Sequence, residues 1–165
     1  MTYPEVSATR EDTGLPAGYR HVRRRRRVGA GRAAFDALAA GMRAFQVHRG
    51  AGMAVRAEGP ATVGRVFTSG LGIGPFRLWA PCQIVWLADE PDRYAYGFGT
   101  LRGHPMSGEE AMLASLEADG SVWFAIRAFS RPVAWYARVG GPLRSVAQDR
   151  VTDRYVAAAG RLAAS

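Results

Sequence analysis

The chain lacks lysine altogether, so its 22 basic residues are all arginine. Chemistry that depends on a lysine side chain is therefore excluded, including Schiff-base formation, pyridoxal-phosphate catalysis and phosphate binding by a P-loop. Asparagine is absent as well, which excludes N-linked glycosylation. The single cysteine, Cys82, cannot form an intramolecular disulfide. A reducing compartment is the simplest interpretation, and we expect a cytoplasmic protein.

Long apolar runs are also missing. No stretch approaches the roughly 18 apolar residues that a membrane-spanning helix needs, and the first residues, Met-Thr-Tyr-Pro-Glu, do not resemble a signal peptide. The sequence therefore predicts no membrane partner. At 165 residues, 48% of them hydrophobic, the chain is long enough for one packed domain. We expect an extended N-terminal arm over residues 1–18 and a single domain over residues 19–165.

The net charge of +8 favours anionic partners. The only dense basic cluster runs from Arg23 to Arg27 and lies within a segment that has the pattern of a β-strand. Side chains alternate between the two faces of a strand, so this cluster would be divided between two surfaces. No aromatic residues are interleaved with it, as they are in RNA-binding motifs. A nucleic-acid-associated module is therefore the least favoured interpretation.

The sequence pattern predicts one strand, one helix, a run of strands and a final helix, in that order. We predict a first strand at 19–28 and a helix at 32–47, where apolar residues recur at helical spacing. Further strands are predicted near 53–57, 62–69, 76–88, 93–100, 109–117 and 121–130, and helical structure follows position 132, is interrupted at 140–142 and resumes to 164. This order predicts an α+β fold with a curved antiparallel sheet wrapped around a long C-terminal helix and a short helix after the first strand. Such a sheet can hold a cavity beneath the helix.

One segment resembles a dinucleotide-binding motif, but only weakly, and the cysteine and histidines form no recognisable motif. The segment Gly29-Ala30-Gly31-Arg32-Ala33-Ala34 has the outline of a dinucleotide fingerprint. The preceding arginine-rich strand is unlike the buried strand of such a unit, however, and a tight turn before a helix is the better interpretation. We interpret Cys82 as a small buried residue, and His21 and His48 as structural or solvated. No zinc spacing is present, and neither a cofactor nor a metal site is expected.

The strongest candidate site is the polar segment from Gly103 to Glu110, which contains His104, Ser107, Glu109 and Glu110. Imidazole and carboxyl groups can exchange protons near neutral pH. Depending on the length of the Asp119-Gly120 turn, the following hairpin places Glu109 opposite Ser130 or Glu110 opposite Ala128.

Either register brings a glutamate near Ser130 and Arg131. Three interpretations remain open: a glutamate–arginine ion pair that closes the hairpin, a binding site, and an acid–base catalytic site. The candidate catalytic residues are His104, Glu109, Glu110 and Ser130, and Arg131 is the candidate anion-binding residue.

The strand Tyr94–Thr100 has one aromatic face and one bare face. Tyr94, Tyr96, Phe98 and Thr100 alternate with alanine and glycine. The large side chains could line an apolar pocket or form ordinary core, and the bare face indicates that something packs closely on the sheet. With Trp86 and Phe124 on neighbouring strands, these four residues complete the set of candidate ligand-binding residues.

Several short segments together resemble uncharacterised protein family 0548, also called domain of unknown function 1990. The resemblance covers residues 3–160 and is carried by Tyr19-Arg20-His21, Val28-Gly29-Ala30-Gly31, Gly72-Ile73-Gly74-Pro75, Ala80-Pro81-Cys82, Tyr96-Gly97-Phe98-Gly99-Thr100-Leu101, Gly103-His104-Pro105, Gly108-Glu109-Glu110 and Phe129-Ser130-Arg131-Pro132. Members often have glutamate where this chain has Met106, and an acidic residue where it has Gln83. The strand order of the family is similar to the START-like helix-grip superfold.

By analogy of fold, that resemblance implies a hydrophobic cavity under the C-terminal helix. The leading hypothesis is binding of a small hydrophobic or amphipathic ligand, possessing an acidic or polar end that meets Arg131 and His104. The alternative is a cyclase, hydrolase or isomerase on the same scaffold.

Overall fold

The computed structural model describes residues 1–11, 14–72, 74–134 and 141–165; the side chains of residues 75 and 141–148 are outside that description. The elements in chain order are β1 (Arg20–Ala30), α1 (Gly31–Arg43), α2 (Gln46–Gly50), β2 (Ala54–Ala57), β3 (Val66–Leu71), a 3-10 turn (Gly74–Phe76), β4 (Leu78–Glu90), β5 (Arg93–Thr100), β6 (Met106–Leu116), β7 (Ser121–Pro132) and α3 (Gly141–Ala163).

The strands form one antiparallel seven-stranded sheet in the order β1-β7-β6-β5-β4-β3-β2. The helices cover one face of this sheet, which we call the inner face, and the opposite face is the outer face. This arrangement confirms the predicted α+β fold, in which a curled sheet holds a C-terminal helix and a further helix follows the first strand. Because sheet strands and helices are segregated along the chain, every strand pairing can be antiparallel.

The main core lies between the inner face and the helices. Leu38 and Met42 of α1 and Ala159 of α3 are fully buried there against Phe124 and Ile126 of β7. The helical periodicity of α1 and the alternation of β7 both direct these apolar side chains to the same layer. The face of β7 that carries Val122, Phe124, Ile126 and Ala128 is therefore buried.

The helix predicted over 32–47 is in fact two helices. The break lies at Phe45, which adopts a left-handed conformation with φ of 57°. The short helix α2 that follows turns Val47 and His48 into the core. Helical spacing alone does not register such a break, because the apolar pattern continues across it.

A β-bulge in β4 changes which face Trp86 occupies. Ile84 pairs with Phe98, but Trp86 pairs with Gly97, so Val85 is the extra residue. One extra residue reverses the alternation of side chains. Ile84 therefore packs in the inner core, whereas Trp86 joins Ala95, Ala111 and Leu113 in a separate cluster on the outer face.

The N-terminal arm packs on the outer face. Tyr3 is buried there, and the Thr2 amide donates a 3.1 Å hydrogen bond to the Thr100 carbonyl at the end of β5. A Cβ atom on Gly99 would overlap the ring of Tyr3, and one on Gly97 would overlap the indole of Trp86. The bare face of β5 thus is covered closely, as the sequence indicated.

Two predicted segment boundaries were wrong. Strand β6 begins at Met106, so the polar segment 103–110 is a short turn followed by a strand, not a loop throughout. Helix α3 begins at Gly141, and residues 133–134 before it are not helical. The helix predicted between positions 135 and 140 lies outside the described residues.

Candidate ligand-binding site

Consecutive glutamates of β6 lie on opposite faces of the sheet. Glu110 pairs with Phe98 on one side and Ala128 on the other, and both neighbours face the core. Of the two hairpin registers considered from the sequence, the structure has the one that places Glu110 opposite Ala128. Glu109 therefore projects from the outer face.

Glu110 has no hydrogen-bond partner for its Oε1 atom, which is buried. The side chain as a whole nevertheless keeps part of its surface accessible. Removal from bulk water raises the pKa of the Glu110 carboxyl from 4.5 to about 7, because burial disfavours the charged form. A buried carboxyl oxygen without a partner calls for an explanation, such as a bound water, ion or ligand.

A second polar group without a partner lies close by in the same core. His48 of α2 is only 1% exposed, and neither of its ring nitrogens makes a hydrogen bond. Its ring packs among Phe45, Phe67, Phe98 and Tyr155, with a centroid separation of 5.4 Å to Phe98. Burial lowers the pKa of His48 from 6.5 to about 3, so the imidazole is neutral at physiological pH.

Three further groups with protons to donate surround Glu110. The Tyr96 phenol, the Tyr155 phenol and the Cys82 thiol are all buried, and burial raises the pKa of each. The nearby Glu110 carboxylate raises all three pKa values further. These groups are therefore neutral, and Cys82 is a buried thiol, not a nucleophile.

Near one end of the sheet the inner face remains partly open. We call this the distal end; it contains the β3–β4 hairpin tip, the 101–105 turn and the end of β7. Val55, Ser69 and Ala80 occupy neighbouring inner-face positions on β2, β3 and β4, and all three are partly accessible. Ser130 is half-buried at the inner-face end of β7. These inner-face residues therefore keep part of their surface accessible.

Glu109 belongs to the outer face and is fully engaged there. Its side chain is 2% exposed and accepts hydrogen bonds from the Tyr3 hydroxyl at 2.6 Å, the Ser7 amide at 2.7 Å, the Thr9 amide at 2.9 Å and the Thr9 hydroxyl at 2.5 Å. Trp86 Nε1 in turn donates to Thr9 Oγ1 at 3.0 Å. Glu109 thus anchors the N-terminal arm to the sheet.

His104 stabilises its own turn. The backbone amide of Met106 donates a 2.9 Å hydrogen bond to His104 Nδ1. Burial lowers the pKa of His104 to about 4, so it stays neutral. The proton exchange between His104 and a glutamate suggested by the sequence has no counterpart in these contacts.

Arg131 is exposed on the outer face, where its guanidinium lies 5.1 Å from the centre of the Tyr19 ring. Ser130 has the opposite orientation, because successive residues of β7 alternate between faces. The expected cluster of Glu109, Glu110, Ser130 and Arg131 is therefore divided by the sheet. Glu110 and Ser130 share the inner face, and Glu109 and Arg131 share the outer face.

The candidate ligand-binding residues divide in the same way. Tyr94, Tyr96, Phe98 and Phe124 all contribute to the inner core. Trp86 does not, because of the bulge at Val85. Thr100 Oγ1 accepts a 3.0 Å hydrogen bond from the Gly108 amide and contacts the Thr2 hydroxyl at 2.5 Å, which ties the arm to the end of β5.

The arginines of β1 are divided between faces, as the sequence predicts. Arg24 reaches Asp149 of α3, at 3.7 Å. Arg25 forms a 2.8 Å ion pair with Glu117 on the outer face and lies 4.0 Å from the centre of the Trp123 ring. An outer-face groove of about 490 Å³ lies among Arg23, Arg93 and Arg127.

Within the described ranges, no three histidine, cysteine or acidic side chains come together to hold a metal ion. Nor does any helix among the described residues have the length and apolar character needed to cross a bilayer. His48 is the functional candidate that sequence reasoning assigned only a structural or solvated role. Its place in an apolar helical pattern, between Val47 and the glycine that ends α2, was the available signal.

The fold is shared with several solved structures. The crystal structure of Ara h 8.0201 superposes with a TM-score of 0.59 at 14% identity, over 88% of this chain and 98% of that one. A norcoclaurine synthase point mutant from Thalictrum, in complex with a transition-state analogue, gives 0.57 at 10% identity over 88% and 97%. A hypothetical protein from Helicobacter pylori gives 0.59 at 11% identity over 84% and 86%. These likenesses define a helix-grip fold of the START-like, Bet v 1-like class.

Within that class, the chain belongs to the family described as domain of unknown function DUF1990, whose model matches residues 2–158. A UPF0548 protein of Deinococcus radiodurans is 34% identical over 155 residues, which cover 87% of this chain and 78% of the relative. A UPF0548 protein of Arabidopsis thaliana is 35% identical over 68 residues, covering 38% of this chain and 33% of the relative. The family resemblance found in the sequence is thereby confirmed.

Proposed function

We propose that this protein binds a small hydrophobic or amphipathic molecule between the inner face of the sheet and helix α3, with Glu110 meeting the polar end of the ligand. The observation that carries the proposal is the Glu110 side chain, whose Oε1 atom is buried and unpaired although the residue as a whole keeps part of its surface accessible. Helix-grip proteins that share this fold include an enzyme captured with a transition-state analogue, so the scaffold accommodates small molecules elsewhere.

An unpaired carboxyl in a core costs free energy of folding. Leaving a buried polar group without a hydrogen bond costs about 1–3 kcal/mol, and a charged one costs more. His48 adds a second such cost a short distance away. A ligand that satisfied either group would recover this free energy on binding, which would strengthen the binding.

The apolar part of the ligand would contact the aromatic side chains around these two groups. Phe98 connects them directly, because it is paired with Glu110 across the β5–β6 ladder and packs against the His48 ring. Phe67, Ile84 and Tyr155 extend the same apolar surface. Few polar groups within an apolar lining are typical of small-molecule sites.

The chemistry of the site favours a ligand with a hydrogen-bond donor over an acidic one. A carboxylate accepts hydrogen bonds and repels another carboxylate. The two groups expected from sequence to meet an acidic end, Arg131 and His104, are engaged on the outer face and within their own turn. A hydroxyl or amine at the polar end fits Glu110 better.

The test is titration of the full chain with N-phenyl-1-naphthylamine, a neutral apolar probe that has one N–H donor and fluoresces when shielded from water. We expect saturable binding to the parent chain. Ala128→Phe should abolish it, because position 128 faces Glu110 across the β6–β7 ladder and a phenyl ring would fill the space beside the carboxyl. Ser115→Ala, on the outer face, is the control and should bind like the parent. Absence of saturable binding to the parent, or equal binding by Ala128→Phe in a folded state, would overturn the proposal.

A catalytic role is the second candidate, favoured by one observation: the pKa of Glu110 is about 7. A base is most effective when its pKa lies near the working pH. A suitable probe is 5-nitrobenzisoxazole. Glu110 would take its ring C–H proton while the N–O bond breaks to release a phenolate. We expect a rate that rises with pH through 7 and is lost in Glu110→Gln; a rate unaffected by that substitution would exclude this role.

A further inference from the structure

The tip of the β3–β4 hairpin exposes apolar side chains at the distal end of the sheet. Phe76 is 90% exposed, and Leu71 and Leu78, which pair with each other at the base of the tip, are 40% and 45% exposed. Single exposed apolar residues are ordinary, but three on one projecting turn are a signal of contact with another surface.

The turn at the tip closes tightly. Gly72 has φ of +115°, and a Cβ atom there would lie 2.6 Å from the Phe76 carbonyl oxygen, so this position requires glycine. The Arg77 side chain donates a 3.3 Å hydrogen bond through Nε to the Gly72 carbonyl. Phe76 follows on this turn with its side chain exposed.

Behind the apolar tip lies a layer of tryptophan and arginine. Trp79 stands on the outer face over Gly70, with the guanidinium carbons of Arg56 and Arg77 at 3.9 Å and 5.5 Å from its ring centre. Trp79 follows the 3-10 turn that ends at Phe76 and is the second residue of β4. Tryptophan and arginine are favoured in the headgroup layer of a bilayer, beneath which apolar side chains insert.

Charge within the chain segment that forms the tip has one sign. No aspartate or glutamate occurs between Glu58 and Asp89, whereas Arg65 and Arg77 lie in that interval. Two further exposed arginines, Arg102 in the 101–105 turn and Arg131 at the end of β7, belong to the same distal end. An anionic surface is the complementary partner, because arginines near such a membrane surface strengthen attachment to it.

From this geometry we infer that the β3–β4 hairpin tip docks on the surface of an anionic phospholipid bilayer, with Phe76 inserted and Arg77 and Arg56 at the headgroups. The expectation of no membrane partner rested on the lack of a spanning segment, and surface docking needs none. Leu71 and Leu78 have inner-face positions in their strands, so docking would turn the partly open end of the inner face toward the lipid. Docking by the tip does not depend on whether a ligand is bound at the inner face.

The experiment is vesicle co-sedimentation of the full chain, using phosphatidylcholine vesicles with and without phosphatidylglycerol, at low and high salt. We expect binding to the anionic vesicles that weakens as salt screens the charges. Phe76→Ser should weaken it roughly tenfold, because a fully exposed phenylalanine gains most from apolar surroundings. Arg77→Gln should also weaken binding to anionic vesicles.

Val63→Ser is the matched control. Val63 is 64% exposed but precedes β3, at the opposite end of that strand from the tip, so its replacement should leave vesicle binding unchanged. Glu110→Gln should bind vesicles like the parent even if its interior binding changes, which separates this inference from the proposed function. Equal binding by Phe76→Ser and the parent, equal binding to neutral vesicles, or no vesicle binding would overturn the inference. A different outcome is also decisive: the parent does not bind vesicles but associates with itself, and Phe76→Ser abolishes this self-association. The tip would then contact a second copy of the chain and not a membrane.

Discussion

Glu109 and Glu110 are neighbours in β6, yet one accepts four hydrogen bonds and the other leaves an oxygen unpaired. Glu109 is enclosed by Tyr3, Ser7 and Thr9 of the N-terminal arm. Glu110 lies on the inner face, and its Oε1 has no partner. The alternation of a strand thus gives adjacent carboxyls a structural role on one face and a candidate binding role on the other.

Replacing Glu110 should change how stability depends on pH. Its folded-state pKa of about 7 lies above the ordinary 4.5, so the folded protein holds a proton that the unfolded chain releases between those values. Stability from this group is complete below pH 4.5 and is lost as pH rises toward 7. We expect Glu110→Gln to gain about 2–3 kcal/mol over the parent between pH 5 and pH 8, measured by urea unfolding.

Val63→Ser is the control for that comparison, because it replaces an exposed side chain and changes no ionisable group. Its stability difference from the parent should stay constant with pH. If Glu110→Gln behaved in the same way, the carboxyl would titrate normally and the buried site would be contradicted.

His48 should produce the opposite dependence on pH. Its folded-state pKa of about 3 lies below the ordinary 6.5, so in that interval the unfolded chain takes up a proton that the folded protein refuses. Stability is lost as pH falls below 6.5. Relative to His48→Phe, which keeps a ring among the same aromatic neighbours, the parent should lose about 3 kcal/mol between pH 7 and pH 4. Parallel pH profiles for the parent and His48→Phe would refute a buried neutral imidazole.

Breaking the anchor at Glu109 should release the N-terminal arm. Glu109→Ala removes the acceptor of four hydrogen bonds in a buried place, and we expect a loss of about 3 kcal/mol or more in the free energy of unfolding. Hydrogen exchange at the Ser7 and Thr9 amides should become faster than exchange in β7. Tyr3→Phe removes one of these bonds and should have a smaller effect of the same kind. Unchanged protection of both amides in Glu109→Ala would show that the arm is held by other contacts.

Two glycine substitutions should have effects of opposite sign. Gly97→Ala would drive a methyl group into the Trp86 indole, and we expect a loss of about 1–3 kcal/mol. Gly160→Ala in α3 meets no atom within 4 Å, and alanine should stabilise that helix by about 0.5–1 kcal/mol. Thermal denaturation of both variants and the parent measures these differences in stability. If Gly97→Ala were as stable as the parent, Trp86 would not lie over β5.

The fold could be predicted from the sequence because the patterns that indicate it involve residues close together in the chain. Alternation in β5 and β7, the glycine-containing turns and the helical spacing after β1 each depend on near neighbours in the chain. The break at Phe45 was missed, since a left-handed residue between two apolar turns leaves the spacing intact. The β6 boundary was missed because Gly108, a residue typical of loops, lies inside the strand.

The site could be predicted only in part from the sequence, for a different physical reason. The hairpin count left two registers open, one of which has Glu110 opposite Ala128 as in the structure. Assigning faces across the sheet also requires every bulge to be known, and Val85 reversed Trp86. The burial of His48 depends on the direction of α2, which is set by tertiary packing, and the apolar pattern of five residues is too short to fix it. The partner of Glu109 is an arm about 100 positions away in sequence.

The ionisation of Glu110 in the presence and absence of a ligand is the most direct test of a binding site on the inner face. Carbon NMR of the full chain with labelled glutamate carboxyls would follow this group as pH is varied, with Glu110→Gln identifying its resonance. We expect a pKa near 7 without a ligand, and a lower pKa when N-phenyl-1-naphthylamine donates its N–H to the carboxylate. A pKa near the ordinary value that the probe leaves unchanged would contradict the account.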